Sequence, residues 1–117
     1  MININTAPVD LDLIIQRGMT KAYELQLYKN GIAENITGWV ITLIVKEKMS
    51  DPDSSAIINE LASLSDAING KALIRLEEAN TDFPPKSYYY NIKFIDAQSP
   101  VNTGIIIRGR FTIEKVL

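Results

Sequence analysis

The side chains that most often carry catalysis are missing from this chain of 117 residues, which has no histidine and no cysteine. Without histidine the commonest general base and zinc ligand are lost, and without cysteine neither thiol chemistry nor a disulfide is possible. The carboxylates Glu77, Glu78 and Asp82 invite comparison with a glycosidase pair. Adjacent residues of a strand point to opposite faces, so Glu77 and Glu78 are poorly placed to share a substrate. We therefore predict that the protein is not an enzyme.

The oxygen-rich stretch at residues 51–55 is the one candidate for a metal site. An EF-hand calcium loop needs a glycine at its sixth position and a bidentate glutamate at its twelfth. Counting from Asp51, those positions hold Ala56 and Ala62. The stretch therefore predicts a solvated loop, and we expect no metal and no other cofactor.

One aromatic and four charged residues are candidates for an interface or ligand surface. Tyr89 is the tyrosine of residues 88–90 that should face outward, where it can stack on a sugar, anchor a protein interface, or pack against a cross-strand neighbour. Arg108 and Arg110 share the outer face of the last predicted strand. They can pair with carboxylates of a neighbouring subunit, with Asp10 and Asp12 of the same chain, or with nothing.

Net charge and hydropathy narrow the classes of partner. The net charge is −2, and lysine and arginine are scattered rather than gathered into the basic stripe of a nucleic-acid-binding domain. No apolar run approaches the roughly 18–20 residues needed to span a bilayer. Residues 1–5 lack the basic and apolar regions of a signal peptide. We expect a soluble protein made in the cytoplasm, with no nucleic acid or membrane as a partner.

The strand pattern is organised around residues 36–46, the longest apolar run, which contains the only tryptophan. A stretch so rich in valine, isoleucine, threonine and tryptophan predicts a central strand, with Trp39, Ile41, Leu43 and Val45 on one face. Further alternating stretches predict strands at 9–15, 21–28, 70–76, 87–96 and 104–116. In the last of these, Ile105, Ile107, Phe111 and Ile113 should share a face with Gly109.

Three stretches between or before these strands have less regular patterns. Residues 1–8 predict a loose N-terminal arm or an edge strand. For residues 56–68 we favour a strand over 57–61 followed by loose structure, with a helix as the alternative. Residues 77–86 predict a connection containing a single helical turn. Short strands separated by glycine, asparagine and proline predict one all-β domain over residues 1–117, an immunoglobulin-like antiparallel β-sandwich of about seven to eight strands.

The order of several short motifs resembles one family, the immunoglobulin-like β-sandwich domains of bacteriophage tail and baseplate proteins, including the N-terminal domain of baseplate upper proteins. The residues that carry the resemblance are 15–20, Asn30-Gly31, Ile36-Thr37-Gly38-Trp39, Asn69-Gly70, 88–92 and 109–113. Two departures are Met19, where the family has an acidic residue, and Lys86-Ser87, where it usually has Pro-Gly.

The resemblance implies a structural component of a virion that joins other tail or baseplate proteins, often as a trimer or hexamer, and implies no catalytic residues. We therefore expect a non-enzymatic adaptor of a phage or prophage tail, located in the virion and made in the bacterial cytoplasm. The alternative is a carbohydrate-binding or host-adhesion module that uses Tyr89 together with Trp39. Carbohydrate thus stays a possible partner.

Overall fold

The computed structural model describes residues 2–5 and 8–115, and their backbone is built mainly of short β-strands. A single helical turn, α1, spans Glu78–Thr81, and two 3₁₀ turns span Asp53–Ser55 and Ala67–Asn69. None of the helices among these residues is long and apolar enough to cross a membrane. In chain order the strands are β1 Ile2–Ile4, β2 Val9–Asp10, β3 Leu13–Gln16, β4 Lys21–Lys29, β5 Ile32–Ala33, β6 Val40–Lys46, β7 Ile58–Leu61, β8 Ser63–Asp66, β9 Lys71–Leu76, β10 Lys86–Ile95 and β11 Thr103–Glu114.

The strands form two sheets packed as a sandwich, which confirms the predicted all-β sandwich. In the first sheet the order is β1-β4-β9-β8, with β5 beside β4. In the second it is β2-β11-β10-β6-β7, with β3 also beside β11. Both sheets are mixed rather than purely antiparallel, because the N-terminal strands pair in parallel, β1 with β4 and both β2 and β3 with β11. The N-terminal segment thus passes from one sheet to the other and adds short strands beyond the predicted seven to eight.

The apolar run at 36–46 lies at the centre of the core, as its pattern predicts. Strand β6 begins at Val40, one residue after Trp39, and pairs with β10 and β7. Its inward side chains Ile41, Leu43 and Val45 are at most 1% exposed. Each such burial contributes roughly 1.5–3 kcal/mol to stability. Trp39 points to the same side and stacks on Phe94, with ring centroids 5.0 Å apart.

The glycine-containing turns are also as predicted. Asn30 and Gly31, with φ of 54° and 78°, form the tight turn between β4 and β5. Positive φ at both central residues is the mark of a type I′ hairpin turn, which matches the twist of the strands it joins. The connection after β9 contains α1, which is capped reciprocally by Glu77 and Asn80.

The stretch at 56–68 contains more structure than we expected. The predicted strand is present as β7, and the helix alternative is wrong. The loose structure expected after residue 61 is wrong as well, since β8 pairs with β9 and the 3₁₀ turn that follows leads to Gly70 at φ 73°. Two short strands separated by one residue let the chain cross from the second sheet to the first.

A β-bulge in β11 overturns part of the predicted alternation. Ile92 pairs with Ile107 while Lys93 pairs with Ile105, which leaves Ile106 as the extra residue. Both Ile106 and Ile107 are buried, and every side chain before the bulge changes face. Ile105 therefore faces outward, opposite Lys93, and does not share the core face with Phe111. A one-residue insertion of this kind leaves no mark in a pattern read at period two.

Candidate functional site

The candidate surface residues lie on the outer face of the second sheet, the face turned away from the core. Residues that pair across neighbouring strands point to the same side, so the backbone register arranges the outward side chains in rows. One row consists of Lys46, Tyr89 and Arg110, on β6, β10 and β11. The next row consists of Ile44, Asn91, Arg108 and Asp10, on β6, β10, β11 and β2.

Arg108 and Asp10 form an ion pair within the chain. The Arg108 Nε donates to Asp10 Oδ1 at 2.8 Å, and both side chains are exposed. Exposed pairs of this kind contribute at most about 1 kcal/mol to stability. The sequence allowed pairing within the chain or with a neighbour, and for Arg108 the pairing within the chain is present. The pair ties the N-terminal segment to β11 rather than leaving both charges free for a partner.

Arg110 and Asp12 are neighbours without forming an ion pair. Asp12 Oδ1 accepts the backbone N–H of Arg110 at 3.0 Å. The exposed Arg110 guanidinium makes neither a hydrogen bond nor an ion pair with any residue in 2–5 or 8–115. Arg110 therefore keeps its full set of donors, five N–H groups in a planar fork that matches a carboxylate.

These residues border one concave surface, which we name the outer groove. The five residues predicted from the sequence line it together: Asp10, Asp12, Tyr89, Arg108 and Arg110. Its volume is about 630 Å³, within the usual range of binding sites. Asn91, Met49, Ile105 and Lys46 also contribute to the wall. The groove thus combines a half-buried aromatic ring, charges of both signs and apolar side chains on one sheet face.

The chain between β6 and β7 folds over this face, and we name residues 47–57 the strap. Lys46 points outward from the end of β6 but is only 8% exposed, because the strap covers it. Its ammonium donates to the Asp51 carbonyl at 2.8 Å and to Asp53 Oδ1 at 3.2 Å. Lys93 donates to the other oxygen of Asp53. Most residues of the strap are exposed, as predicted for a solvated loop, and Asp53 in addition anchors the strap to two strands.

The anchoring contacts also set the charge state of Asp53. The hydrogen bond from Lys93 holds the pKa of the Asp53 carboxyl below its usual range, with Lys46 adding to the effect. Desolvation acts in the opposite direction and is outweighed. Among the described residues no group of three or more acidic side chains could hold a metal ion. The oxygen atoms of Asp51 and Asp53 accept hydrogen bonds from lysine ammonium groups.

Tyr90 and Asn91 are adjacent on β10 but differ in whether their polar side-chain atoms have hydrogen-bond partners. Tyr90 faces the core and donates its hydroxyl proton to the Leu11 carbonyl at 2.5 Å, while burial raises the pKa of that hydroxyl. Asn91 faces the outer groove, and its side-chain oxygen is buried with no hydrogen-bond partner among the described residues. A buried polar group left unpaired costs roughly 1–3 kcal/mol. The unpaired Asn91 oxygen therefore lowers the stability of the fold at this position.

Trp39 lies far from the outer groove and belongs to a different cavity. That cavity, of about 530 Å³, is lined by Trp39 and Tyr28 together with polar side chains such as Asn30 and Asn102. Tyr89 pairs with Lys46 at the far end of β6 from Trp39. At about 3.3 Å per residue, the length of β6 separates the two aromatic residues. The structure therefore does not bring Tyr89 and Trp39 onto one surface.

The carboxylates considered for hydrolysis are engaged elsewhere. Glu77 accepts a hydrogen bond from Arg75 at 2.6 Å, and Asp82 accepts one from Arg17 at 3.0 Å, all with exposed side chains. Glu78 is exposed in the first turn of α1. These residues do not line the outer groove. Their arrangement is that of surface ion pairs around a helical turn.

Sequence reasoning missed the strap and the outward position of Ile105, both of which shape the groove. The strap had a weak signal, because Lys46 ends an apolar strand and an acidic loop follows within a few residues. A lysine at an outward position beside a buried Ile44 needs a nearby carboxylate. The bulge that turns Ile105 outward had no signal, since Ile105, Ile106 and Ile107 are the same residue type.

Comparisons with known proteins find similarity of structure and none of sequence. No protein-family model matches the chain, and no curated protein matches it. Among solved structures the chain is similar to the N-terminal domain of ORF48 of phage TP901-1, with a TM-score of 0.60 over 97% of this chain and 96% of that one. The two sequences are 16% identical. At that identity the likeness supports the fold of the chain.

Proposed function

We propose that this protein is a non-enzymatic structural domain of a phage or prophage tail or baseplate, which assembles with other virion proteins through the outer groove. The observation that carries the proposal is the groove itself, where Tyr89, Arg110 and apolar side chains share one concave face. Tyrosine and arginine are enriched in the parts of interfaces that carry binding energy. The fold likeness supports the same role, since the similar domain comes from a phage protein.

The chemistry of the groove favours assembly over catalysis. The chain has no histidine or cysteine to act as base or nucleophile. The carboxylates Asp10 and Asp12 are each engaged by a neighbour on β11. A surface of this kind can hold a partner by charge and shape, and it offers no pair of groups poised for proton transfer. The partners are then other tail or baseplate proteins, and copies of the chain itself in a trimer or hexamer.

The proposal is tested on purified tailed particles released by the source bacterium. We expect mass spectrometry to detect the chain in the particles, and gold-labelled antibodies against it to mark the tail end. Absence of the chain from intact particles would overturn the proposal. Light scattering of the purified chain then measures its mass, and a trimer or hexamer supports self-assembly whereas a monomer at all concentrations argues for a role only as an adaptor.

Carbohydrate binding is the alternative, and it now depends on Tyr89 without Trp39. Tyr89 is half-buried between polar side chains on the groove wall, which is a setting in which a ring can stack on a sugar. A glycan array with the native chain and Tyr89→Ser tests it. A hit lost in the variant would favour recognition of a host glycan over assembly.

A further inference from the structure

Three of the five charged side chains that line the outer groove form ion pairs within the chain. Arg108 neutralises Asp10, and Asp53 of the strap neutralises Lys46. Asp12 accepts the Arg110 backbone N–H, while the guanidinium of Arg110 has no partner in the part of the chain that the structure describes. The group with unused hydrogen-bond donors is therefore the Arg110 guanidinium, since the Asp12 carboxylate beside it already accepts a backbone N–H.

The surroundings of Arg110 are suited to a side chain that is partly apolar. Tyr89 pairs directly with Arg110 across β10 and β11, so their Cβ atoms lie about 4.5–5.5 Å apart. Met49 of the strap, 72% exposed, and the outward Ile105 lie on the same wall. Apolar surface beside a free guanidinium suits the methylene groups and carboxylate of a glutamate better than the hydroxyl groups of a sugar.

We propose that the outer groove binds an acidic segment of a partner protein, with a glutamate or aspartate carboxylate held by the Arg110 guanidinium and the neighbouring side chain packed on Tyr89. The inference rests on the proposed function and deepens it, because it states the chemistry that the assembly partner must present. A bidentate pair between arginine and a carboxylate adds geometric specificity as well as energy. The contact therefore selects the partner as well as attaching it.

The test is a selection from a yeast-displayed library of random dodecapeptides on the purified chain. We expect enrichment of peptides with an acidic residue at one fixed position beside an apolar one. On Arg110→Gln this consensus is lost, and a synthetic peptide from the selection binds about tenfold more weakly or worse. The matched control is Arg75→Gln, an exposed arginine of the first sheet, which leaves the consensus and the affinity unchanged. Fluorescence of Trp39 during urea unfolding confirms that both variants fold.

Three results would overturn the inference. One is a selection without acidic enrichment, and another is an acidic consensus that persists on Arg110→Gln. The third is an oligogalacturonate that binds as tightly as the selected peptide and depends on Arg110, which would assign the groove to an acidic saccharide. These failures are separable from failure of the proposed function. A chain found in the virion without acidic preference contradicts the inference alone, and an acidic preference in a chain absent from virions contradicts the virion role alone.

Discussion

Gly109 is the residue at which the N-terminal segment meets the second sheet most closely. It pairs with Tyr90 across β10 and β11, and the backbone of Leu11 passes directly over it. A Cβ at Gly109 would overlap the Leu11 carbonyl, the same group that accepts the Tyr90 hydroxyl. The absent side chain therefore creates the space through which β2 leads into β3. Because the obstacle is backbone, it cannot rotate away.

We expect Gly109→Ala to destabilise the fold by roughly 1–3 kcal/mol, the cost typical of overpacking a well-packed site. The loss should appear as a lower urea midpoint followed by the fluorescence of Trp39. Gly18→Ala is the control, since Gly18 has φ 72° and no atom lies within 4 Å of the position that an alanine Cβ would occupy there. It tests the backbone penalty alone, about 1–2 kcal/mol. An unchanged midpoint for Gly109→Ala would contradict the close approach of Leu11.

At the scale of elements, the strap decides which part of the outer face is available. It covers Lys46, yet leaves Met49 exposed at the edge of the groove. Within the strap, the Ser55 amide donates to the Pro52 carbonyl at 2.9 Å and the Ala56 amide to the Asp53 carbonyl at 3.1 Å. These local bonds hold the 3₁₀ turn that carries Asp53. The position of the turn on the sheet depends on the lysines that Asp53 contacts.

Replacement of Asp53 by asparagine should loosen the strap without unfolding the sheets. Asp53→Asn leaves the ammonium groups of Lys46 and Lys93 without their carboxylate, at a cost of about 1 kcal/mol for partly exposed pairs. We expect hydrogen exchange at the Ser55 and Ala56 amides to become several-fold faster. Glu47→Gln is the control, because it removes an exposed pair with Lys86 at the start of the same loop. Equal exchange rates in the two variants would contradict the anchoring role of Asp53.

At the scale of the whole molecule, the groups with shifted pKa values titrate only at acid or alkaline pH. The stability should therefore not change over the wide pH range between them. Hydrogen bonds from Asn102 hold the pKa of Asp96 below its usual range, as the bond from Lys93 does for Asp53. Burial raises the pKa of Tyr23, Tyr88 and Tyr90 above the ordinary tyrosine value. The chain has no histidine, whose side chain would titrate between these limits.

The stability of the protein should therefore be flat between about pH 5 and pH 9 and fall on both sides. Carboxylates with lowered pKa contribute stability above about pH 4, the ordinary aspartate value, and lose it as the pH falls through their folded-state values. Tyrosines with raised pKa contribute stability that is full below about pH 10 and decreases above it. Urea midpoints measured across the pH range check this. Asp96→Asn should flatten the acid side, and a midpoint that shifts between about pH 6 and pH 8 would contradict the prediction.

Strands β10 and β11 show most clearly which features the sequence predicts and which ones only the structure decides. Alternation at period two was enough to place Tyr89, Arg108 and Arg110 on an outward face and Phe111 in the core, because successive side chains of a strand point to opposite sides. The tight turn at Asn30-Gly31 was equally predictable, since few residues other than asparagine and glycine adopt positive φ at low cost. The lack of enzymatic activity and the extent of a single domain over residues 1–117 stay predictions.

Only the tertiary structure decided which outward residues meet. Asp10 and Arg108 are 98 positions apart, and a parallel pairing of β2 with β11 makes them neighbours. The bulge at Ile106 places Ile105 on the wall of the groove. Asp53 lies over the sheet because it accepts hydrogen bonds from lysines on two different strands. Register, bulges and loop contacts depend on how distant segments pack together. Local pattern fixes the face on which a side chain lies, whereas its neighbours on that face are set by long-range pairing.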